Sequence, residues 1–260
     1  MKIVLFTSNQ PRHLAIAEML ISHSQEVHVV VEAGTLFPGQ NPGVFKRSEV
    51  MATYFGKVNA AERNLFGAPR PLVGAASVSV IVQGELSSSG EIVSELIESS
   101  DLVIVFGSSY IRGTLVDALI EAKAVNIHMG ISPYYRGNSC NFWALYDGCP
   151  ELVGATVHRL DSGLDSGEIL FHSFPTSPCS DAFEFSMSAV EQVGKDLIRW
   201  INGSPTFAKS VPQDQSLQIR FSKALDFDDA IAADFLSRDY DATDIAERLA
   251  GRALPGLLRI

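Results

Sequence analysis

The most informative part of the sequence leaves a predicted strand and enters a loop; it reads Asn126-Ile127-His128-Met129-Gly130-Ile131-Ser132-Pro133-Tyr134-Tyr135-Arg136-Gly137. Asn126 and His128 lie two residues apart, so on a strand their side chains point to the same side. In open α/β sheets, ligands bind outside the carboxyl ends of the strands. The pair predicts two polar groups that face a cleft, although an Asn and a His at a strand end can also serve only to satisfy backbone groups.

The chain on either side of this stretch alternates short apolar segments with amphipathic ones. Strands are predicted at 2–6, 26–31, 78–82, 101–106 and 124–128, and helices at 11–22, 47–65, 91–99 and 112–122. This alternation is typical of βαβ units. The sequence therefore predicts an α/β fold with a mostly parallel sheet flanked by helices.

The pattern changes after residue 151. Two strand-like segments, 152–158 and 168–174, enclose a polar loop and predict a β-hairpin added to the sheet. Further elements are predicted in chain order: a helix at 181–201, a linker at 203–216, a strand at 217–221 and helices at 227–237 and 242–250. Because this tail is too small for a core of its own, we expect a main domain at 1–203 and, at 204–260, a linker with a small C-terminal α/β appendage that packs on it.

The composition excludes several classes of function. The chain has 260 residues, of which 46% are apolar, so it is long enough to bury a large core. It carries 20 Lys and Arg against 30 Asp and Glu, a net charge of −10 without a basic run, which disfavours extended binding to DNA or tRNA. No apolar stretch reaches the roughly 18 residues of a membrane span, and the apolar run at the N-terminus is too short for a signal peptide.

Cysteine and histidine give no indication of a metal site. Three cysteines, at positions 140, 149 and 179, cannot all pair within the chain and lack metal-ligand spacing, so reduced thiols in a cytoplasm are predicted. His158 and His172 fall in predicted strands without a second ligand at suitable spacing, and we interpret both as structural.

A second motif follows the first by about 25 residues: Thr156-Val157-His158, then the turn Leu164-Asp165-Ser166-Gly167-Glu168-Ile169. Together the two motifs resemble the formyltransferase family that uses 10-formyltetrahydrofolate, whose members carry N-x-H, a loop of the type S-L-L-P-x-x-R-G, T-V-H and L-D-T-G-x-I. This chain departs from the loop at the Leu-Leu pair and has Ser166 in place of Thr. The resemblance covers about residues 1–175, is specific over 124–170 and is weak beyond 205. It implies a Rossmann-like catalytic domain at 1–203.

Carried over to the matching positions, the resemblance implies that Asn126, His128 and Asp165 are the catalytic residues. Formyl transfer to an amine passes through a tetrahedral intermediate, which requires a donor to its oxyanion and proton transfer at nitrogen. Asn126 can donate to the oxyanion, and His128 can either donate to it or take a proton from the incoming ammonium. Asp165 would orient His128, raise its basicity or relay a proton through a water. Asp161 lies in the same loop and is interpreted as a turn residue, because the motif's aspartate falls on Asp165.

The resemblance also implies two groups of binding residues. The loop after strand 101–106 is similar to the family's folate-facing loop, so the residues expected at 10-formyltetrahydrofolate are Phe106, Gly107, Ser108, Tyr110 and Asp161. The start of helix 11–22 can attract an anion. The residues expected at the acceptor are Ser8, Asn9, Arg12, Pro133, Tyr135, Arg136 and Gly137. A serine hydrolase is disfavoured, because Ile111 stands where a Gly-x-Ser-x-Gly motif requires its last glycine.

The acceptor class is the harder question. The family's Met-tRNA member carries a basic C-terminal barrel, which this short acidic tail cannot supply, and the purine-pathway member has a glycine-rich first loop of which only Ser8 and Asn9 are kept. The chain is therefore most similar to the branch that formylates nucleotide-linked amino-dideoxysugars for cell-surface polysaccharides such as O-antigen. Alternatives are Met-tRNA or glycinamide ribonucleotide as acceptor, a formyltetrahydrofolate hydrolase, and a non-enzymatic folate- or nucleotide-binding module. The sequence leaves the oligomeric state open, with a homodimer as one form.

Overall fold

The computed structural model describes residues 1–34, 48–179, 181–203 and 209–258. Its strands are β1 (Lys2–Ser8), β2 (Glu26–Ala33), β3 (Ser77–Val82), β4 (Leu102–Phe106), β5 (Val125–His128), β6 (Tyr135–Gly137), β7 (Ala155–Arg159), β8 (Ile169–Ser173) and β9 (Arg220–Ser222). Its helices are α1 (Pro11–His23), α2 (Glu49–Phe66), α3 (Gly90–Glu98), α4 (Thr114–Glu121), α5 (Cys140–Tyr146), α6 (Ala182–Asn202), α7 (Asp229–Leu236) and α8 (Ala242–Ala250). No helix over these residues is both long and apolar enough to cross a membrane.

The predicted α/β fold is confirmed by a seven-stranded sheet in the order β3-β2-β1-β4-β5-β7-β8. The first five strands in chain order run parallel. The hairpin predicted after residue 151 is β7 and β8, which extend the sheet in antiparallel pairing next to β5. Chain order reverses between β1 and β4, so the loops after these strands diverge and leave a crevice at their carboxyl ends.

Helices cover both faces of the sheet. On one face, Ile3 and Leu5 of β1 pack with Ile16 and Leu20 of α1, and α6 joins the same cluster. On the other face, residues of β1 and β4 pack with α3 and α4. Because both faces of the central strands are buried, those strands are almost continuously apolar, which is why the sequence indicates them clearly. The sheet is thereby a rigid support for the loops at its carboxyl edge.

The C-terminal segment, residues 209–258, packs on the rest of the chain. β9 pairs in parallel with β6 to form a separate two-stranded sheet. The backbone of His172 donates to the carbonyl oxygen of Leu258 at 2.7 Å, and the amide of Leu258 donates to His172 Nδ1 at 3.0 Å. Position 47 of the predicted helix 47–65 and positions 204–208 of the predicted linker lie outside the described residues. The boundary at 203 between a main domain and an appendage stays a prediction.

Candidate active site

One cavity of about 650 Å³ opens at the carboxyl ends of β1, β4 and β5. It brings together most of the side chains that the sequence indicated: Ser8, Asn9, Arg12, Phe106, Gly107, Ser108, Tyr110, Asn126, His128, Gly137, Asp161 and Asp165. The position agrees with the crevice expected where the strand order reverses. The cavity is therefore the candidate active site.

The side chains of Asn126, His128 and Asp165 meet on one wall of this cavity. Asp165 Oδ2 lies 3.3 Å from His128 Nδ1, and Asp165 Oδ1 accepts from Asn126 Nδ2 at 3.3 Å. The second ring nitrogen of His128, Nε2, lies 3.1 Å from the carbonyl oxygen of Tyr135. These contacts are longer than the roughly 2.7–2.9 Å of strong charge-assisted bonds. Such bonds often tighten only when substrate is bound.

His158 sets the direction in which the Asn126 amide points. The antiparallel register of β5 and β7 places His158 opposite Asn126. His158 Nδ1 lies 2.7 Å from the carbonyl oxygen of Arg159, which requires a proton on that nitrogen. Its Nε2 then accepts from Asn126 Nδ2 at 3.1 Å. His158 was interpreted from sequence as structural only; the structure makes it part of the hydrogen-bond network of the site.

Asp165 and His128 shift each other's pKa in opposite directions. Burial, the largest single effect, would depress the pKa of His128. The charge and hydrogen bond of the Asp165 carboxylate, together with those of Cys140, outweigh it and hold that pKa well above the ordinary value. Burial would likewise raise the pKa of Asp165, yet the His128 imidazolium, with His158 nearby, holds it far below the usual range. The resting pair is therefore a buried imidazolium next to a carboxylate.

The loop that carries Asp165 is fixed from two sides. Asp165 has a φ of +49°, a left-handed conformation that is uncommon outside glycine. Gln213 Nε2 donates to the carbonyl oxygens of Asp165 and Gly167 at 2.8 and 2.9 Å, and Arg136 Nη2 donates to that of Leu164 at 2.7 Å. These bonds hold the backbone in a conformation that aims the carboxylate at His128.

Asp161 is occupied within the same loop. Its carboxylate accepts from Ser166 Oγ at 2.8 and 2.9 Å and from the Gly163 amide at 3.2 Å. This is the turn role expected of Asp161, whose carboxylate bonds within its own loop rather than to His128. Asp161 still lines the cavity, so its assignment to the cosubstrate stays a prediction.

The loop after β4 is anchored by a residue that the sequence analysis missed. Glu32, at the end of β2, is almost fully buried and lines the cavity. Its carboxylate accepts from the backbone amide and the hydroxyl of Ser109, each at 2.6 Å, and from the amide of Gly84 at 2.8 Å. Glu32 thereby fixes the loop that contains Gly107, Ser108 and Tyr110. The signal for it was a carboxylate at the end of an otherwise apolar strand.

The first loop and the start of α1 form the opposite wall. Ser8 Oγ is hydrogen-bonded to Nδ1 of His13, and burial, followed by the charge of Arg12, holds the pKa of His13 well below its ordinary value. Arg12 Nη1 donates to the buried carboxylate of Glu62 at 2.8 Å. The backbone amide of Arg12 donates to the same carboxylate at 3.1 Å, so Glu62 already binds part of this helix N-terminus and fixes the position of the guanidinium.

Three of the expected acceptor residues do not line the cavity. Pro133 and Tyr135 are buried, and the Tyr135 hydroxyl donates to Asp147 Oδ2 at 3.2 Å. Arg136 is only 8% exposed, and its guanidinium donates to Gln215 Oε1 at 2.6 Å as well as to Leu164. The bonds of Arg136 connect the site loops to the C-terminal segment through Gln215. The assignment of Pro133, Tyr135 and Arg136 to the acceptor stays a prediction.

The absence of a side chain at Gly130 leaves space for the imidazole of His128. A Cβ atom at this position would lie 2.6 Å from His128 Nε2 and 2.4 Å from Cys140 Cβ. Any side chain would therefore push the imidazole or α5 aside. Over the described ranges as a whole, the site included, no group of three or more His, Cys, Asp or Glu side chains is arranged to hold a metal ion.

We expect the imidazole of His128 to keep its proton above the ordinary pKa of about 6.5 in the unmodified protein and to lose it below that value in Asp165→Asn. Burial persists in the variant while the opposing carboxylate charge is removed. A titration of the histidine ring protons by NMR measures both values. A His128 pKa that stays above 6.5 in Asp165→Asn would contradict the assignment of Asp165 as its partner.

The same pair makes stability depend on pH with a defined sign. A raised pKa of His128 stabilises the fold fully below about pH 6.5, and this contribution is lost as pH rises through the folded-state pKa. A lowered pKa of Asp165 stabilises the fold above about pH 3.9 and fails only in strong acid. The loss in free energy of unfolding caused by Asp165→Asn should therefore be larger at pH 5.5 than at pH 9.5, as chemical denaturation at both values will show.

Comparison with known proteins agrees with this geometry. The family model "Formyl transferase" matches residues 1–193. A dTDP-4-amino-4,6-dideoxyglucose formyltransferase of Mycobacterium tuberculosis is 37% identical over 81 residues, which are 31% of this chain and 32% of that protein. A methionyl-tRNA formyltransferase of Chlamydia abortus is 29% identical over 201 residues, 76% of this chain and 56% of the relative. The chain thus matches less than two thirds of the length of either curated relative.

A solved structure shares the fold at low identity. The X-ray structure of a sugar N-formyltransferase from Shewanella sp. superposes with a TM-score of 0.52 at 18% identity, covering 87% of this chain and 78% of that one. Together with the family match over 1–193, which is well over half of the 260 residues, this agrees with the resemblance that the two sequence motifs indicated. The chain belongs to the formyl transferase family.

Proposed function

We propose that this protein transfers a formyl group from 10-formyltetrahydrofolate to the primary amine of a small acceptor, a nucleotide-linked amino-dideoxysugar. The observation that carries the proposal is the convergence of Asn126, His128 and Asp165 on one wall of the cavity. A hydrogen-bond donor, a protonated imidazole and a carboxylate are the groups that acyl transfer to an amine requires.

The charge state of the site favours one of the two roles left open for His128. Its pKa is raised, which favours the imidazolium, and the Nε2 proton can donate to the formyl oxygen in place of the Tyr135 carbonyl as that oxygen gains negative charge. Asn126 would donate to the same oxygen once its amide turns from Asp165. The Asp165 carboxylate holds the imidazolium in place. Through a water it can relay the proton that the attacking amine releases to the nitrogen of the cosubstrate, which leaves as N–H when its bond to the formyl carbon breaks.

The cosubstrate supplies the formyl group, and the cavity wall fits its flat ring system. Apolar side chains of Phe106, Ile111, Val116 and Leu160 line the cavity next to the loops 107–111 and 160–165. Glu32 holds the first of these loops, and the bonds from Arg136 and Gln213 hold the second. Both loops are therefore preorganised, which lowers the entropic cost of binding.

The ion pairs of the C-terminal segment favour a small acceptor over tRNA. A tRNA requires clustered free cations. In the C-terminal segment, Arg220 is bonded to Asp147, Arg238 to Asp234, and Arg248 pairs with Glu151. These pairs reduce the positive surface available to a polyanion. One diphosphate needs only a few donors, for which we propose the guanidinium N–H groups of Arg12 that do not bond to Glu62. The formylated sugar would then serve cell-surface polysaccharide synthesis.

A cytoplasmic location is part of the proposal. All three cysteines are unpaired in the structure, in agreement with a reducing compartment. A homodimer stays a prediction that sedimentation can test.

We expect rapid release of tetrahydrofolate when the protein is incubated with 10-formyltetrahydrofolate and a nucleotide-linked amino-dideoxysugar. The change in absorbance as tetrahydrofolate forms measures this release. The panel should include glycinamide ribonucleotide, Met-tRNA and a reaction without acceptor. Comparable turnover of Met-tRNA would show that the acceptor class is wrong. Release without any acceptor would indicate a hydrolase, and no release with any of them would favour a binding module.

A further inference from the structure

Six aromatic rings line the cavity on the side formed by α2, α5, α6 and the C-terminal segment. We call this surface the aromatic wall; its members are Tyr54, Phe55, Phe142, Phe183, Phe227 and Phe235. None of them was singled out from the sequence as a ligand contact. Their function goes beyond the formyl-transfer chemistry of Asn126, His128 and Asp165, which lie on another wall of the same cavity.

The rings of the wall divide into a buried base and a half-exposed surface. Tyr54, Phe142 and Phe235 are 8%, 6% and 3% exposed and form the base. Phe55, Phe183 and Phe227 are half-buried, and their ring centroids lie 5.2, 5.3 and 4.8 Å from that of Tyr54. The edge-to-face and tilted packing fixes the orientation of the three outer rings. The wall is therefore a rigid apolar surface that faces the cavity.

The chemistry of the wall differs from that of the rest of the cavity. Its remaining neighbours in the cavity lining include the apolar side chains of Val58, Leu145 and Met187. The charged groups of the lining, Arg12, Glu32, His128, Asp161 and Asp165, come from the other elements. An uncharged planar ring fits such a surface, because aromatic faces attract one another and a diphosphate would lose its hydration there.

We infer that the aromatic wall binds the nucleobase of the acceptor, and that Phe227 is a specificity-determining residue supplied by the C-terminal segment. The inference rests on the proposed function, since it assigns one part of the acceptor to one part of the same cavity. Stacking on aromatic side chains is tolerant of base identity, so the specificity that Phe227 confers would be for acceptors that carry a nucleobase over those that do not.

Contacts of β9 with the rest of the protein hold Phe227 in place. Arg220 of β9 makes a two-pronged contact with Asp147, at 2.9 and 2.7 Å, and β9 pairs with β6. Phe227 lies five residues after the end of β9, and the centroid of its ring is 5.0 Å from that of Phe142 in α5. The C-terminal segment is thereby part of the acceptor site rather than a separate module.

The test compares Phe227→Ala with Leu225→Ala. Leu225 is an apolar neighbour in the same segment that is 93% exposed and does not line the cavity. For dTDP-4-amino-4,6-dideoxyglucose we expect Phe227→Ala to raise KM by about 5- to 100-fold, the range for a lost stacking contact, with kcat within about twofold. Leu225→Ala should change neither KM nor kcat. Phe227→Tyr, which keeps an aromatic ring, should have the KM of the unmodified protein.

Two further measurements separate this inference from the proposed function. The same amino sugar as its 1-phosphate, without nucleoside, should be formylated with equal KM by the unmodified protein and by Phe227→Ala. Calorimetric titration with dTDP, which needs no turnover, should show binding that Phe227→Ala weakens. Equal dTDP affinity in both proteins, or a KM of the 1-phosphate equal to that of the nucleotide sugar, would overturn the inference while leaving formyl transfer intact.

Discussion

Asp165→Asn and His128→Ala are each expected to lower turnover with 10-formyltetrahydrofolate and an amine acceptor by at least about a hundredfold, the usual scale for a general acid–base group. Asparagine keeps the shape of Asp165 but removes the charge that keeps His128 protonated. Both variants should still fold, although Asp165→Asn carries the pH-dependent loss in free energy of unfolding described above. In that variant the buried imidazole can lose its proton and so avoid an unpaired charge. Single-turnover kinetics, with circular dichroism as the folding check, measure the effect.

The matched control is Asp161→Asn. Asp161 lies in the same loop, but its carboxylate is bonded to Ser166 and the Gly163 amide rather than to His128. We expect Asp161→Asn to retain most of the turnover. Loss in both variants would leave the partner of His128 unassigned, and loss in Asp161→Asn alone would show that the assignment of Asp165 is wrong.

The sequence was sufficient for the parts of the molecule that depend on local pattern. β1 and β4 are buried on both faces and therefore contain uninterrupted apolar runs, Ile3–Phe6 and Leu102–Phe106. The two-residue spacing of Asn126 and His128 placed both at one strand end, and the structure brings their side chains to Asp165. These features could be predicted because each follows from a few neighbouring residues.

The parts that were missed depend on contacts between distant residues. β6 has three residues and exists because β9, more than 80 positions further along, pairs with it. The sequence predicts Arg136 as an anion ligand, but in the structure its guanidinium donates to the Gln215 side chain and to the carbonyl oxygen of Leu164. His158 joined the site through the antiparallel register of β5 and β7, which a single sequence does not reveal. Motif spacing located the site, whereas tertiary pairing decided what each polar group does.

Gly137→Ala is expected to destabilise the protein by about 2–4 kcal/mol, a value at the upper end of single substitutions. Gly137 has a φ of +91°, a backbone conformation that residues with a side chain rarely adopt. A Cβ atom there would lie 2.1 Å from the carbonyl oxygen of Ser222 in β9. That carbonyl accepts from the Asn138 amide at 2.9 Å, so it cannot move without loss of the β6–β9 contact. Denaturant unfolding gives the free energy.

The control Gly148→Ala separates the clash from the backbone strain. Gly148 has a similar φ of +74°, but a Cβ atom there would meet nothing within 4 Å, so it carries only the roughly 1–2 kcal/mol cost of the left-handed conformation. Equal destabilisation by the two variants would contradict the contact with Ser222. If the contact holds, Gly137→Ala should also expose the C-terminal segment to limited proteolysis and, because that segment carries Phe227, weaken dTDP binding where Gly148→Ala does not.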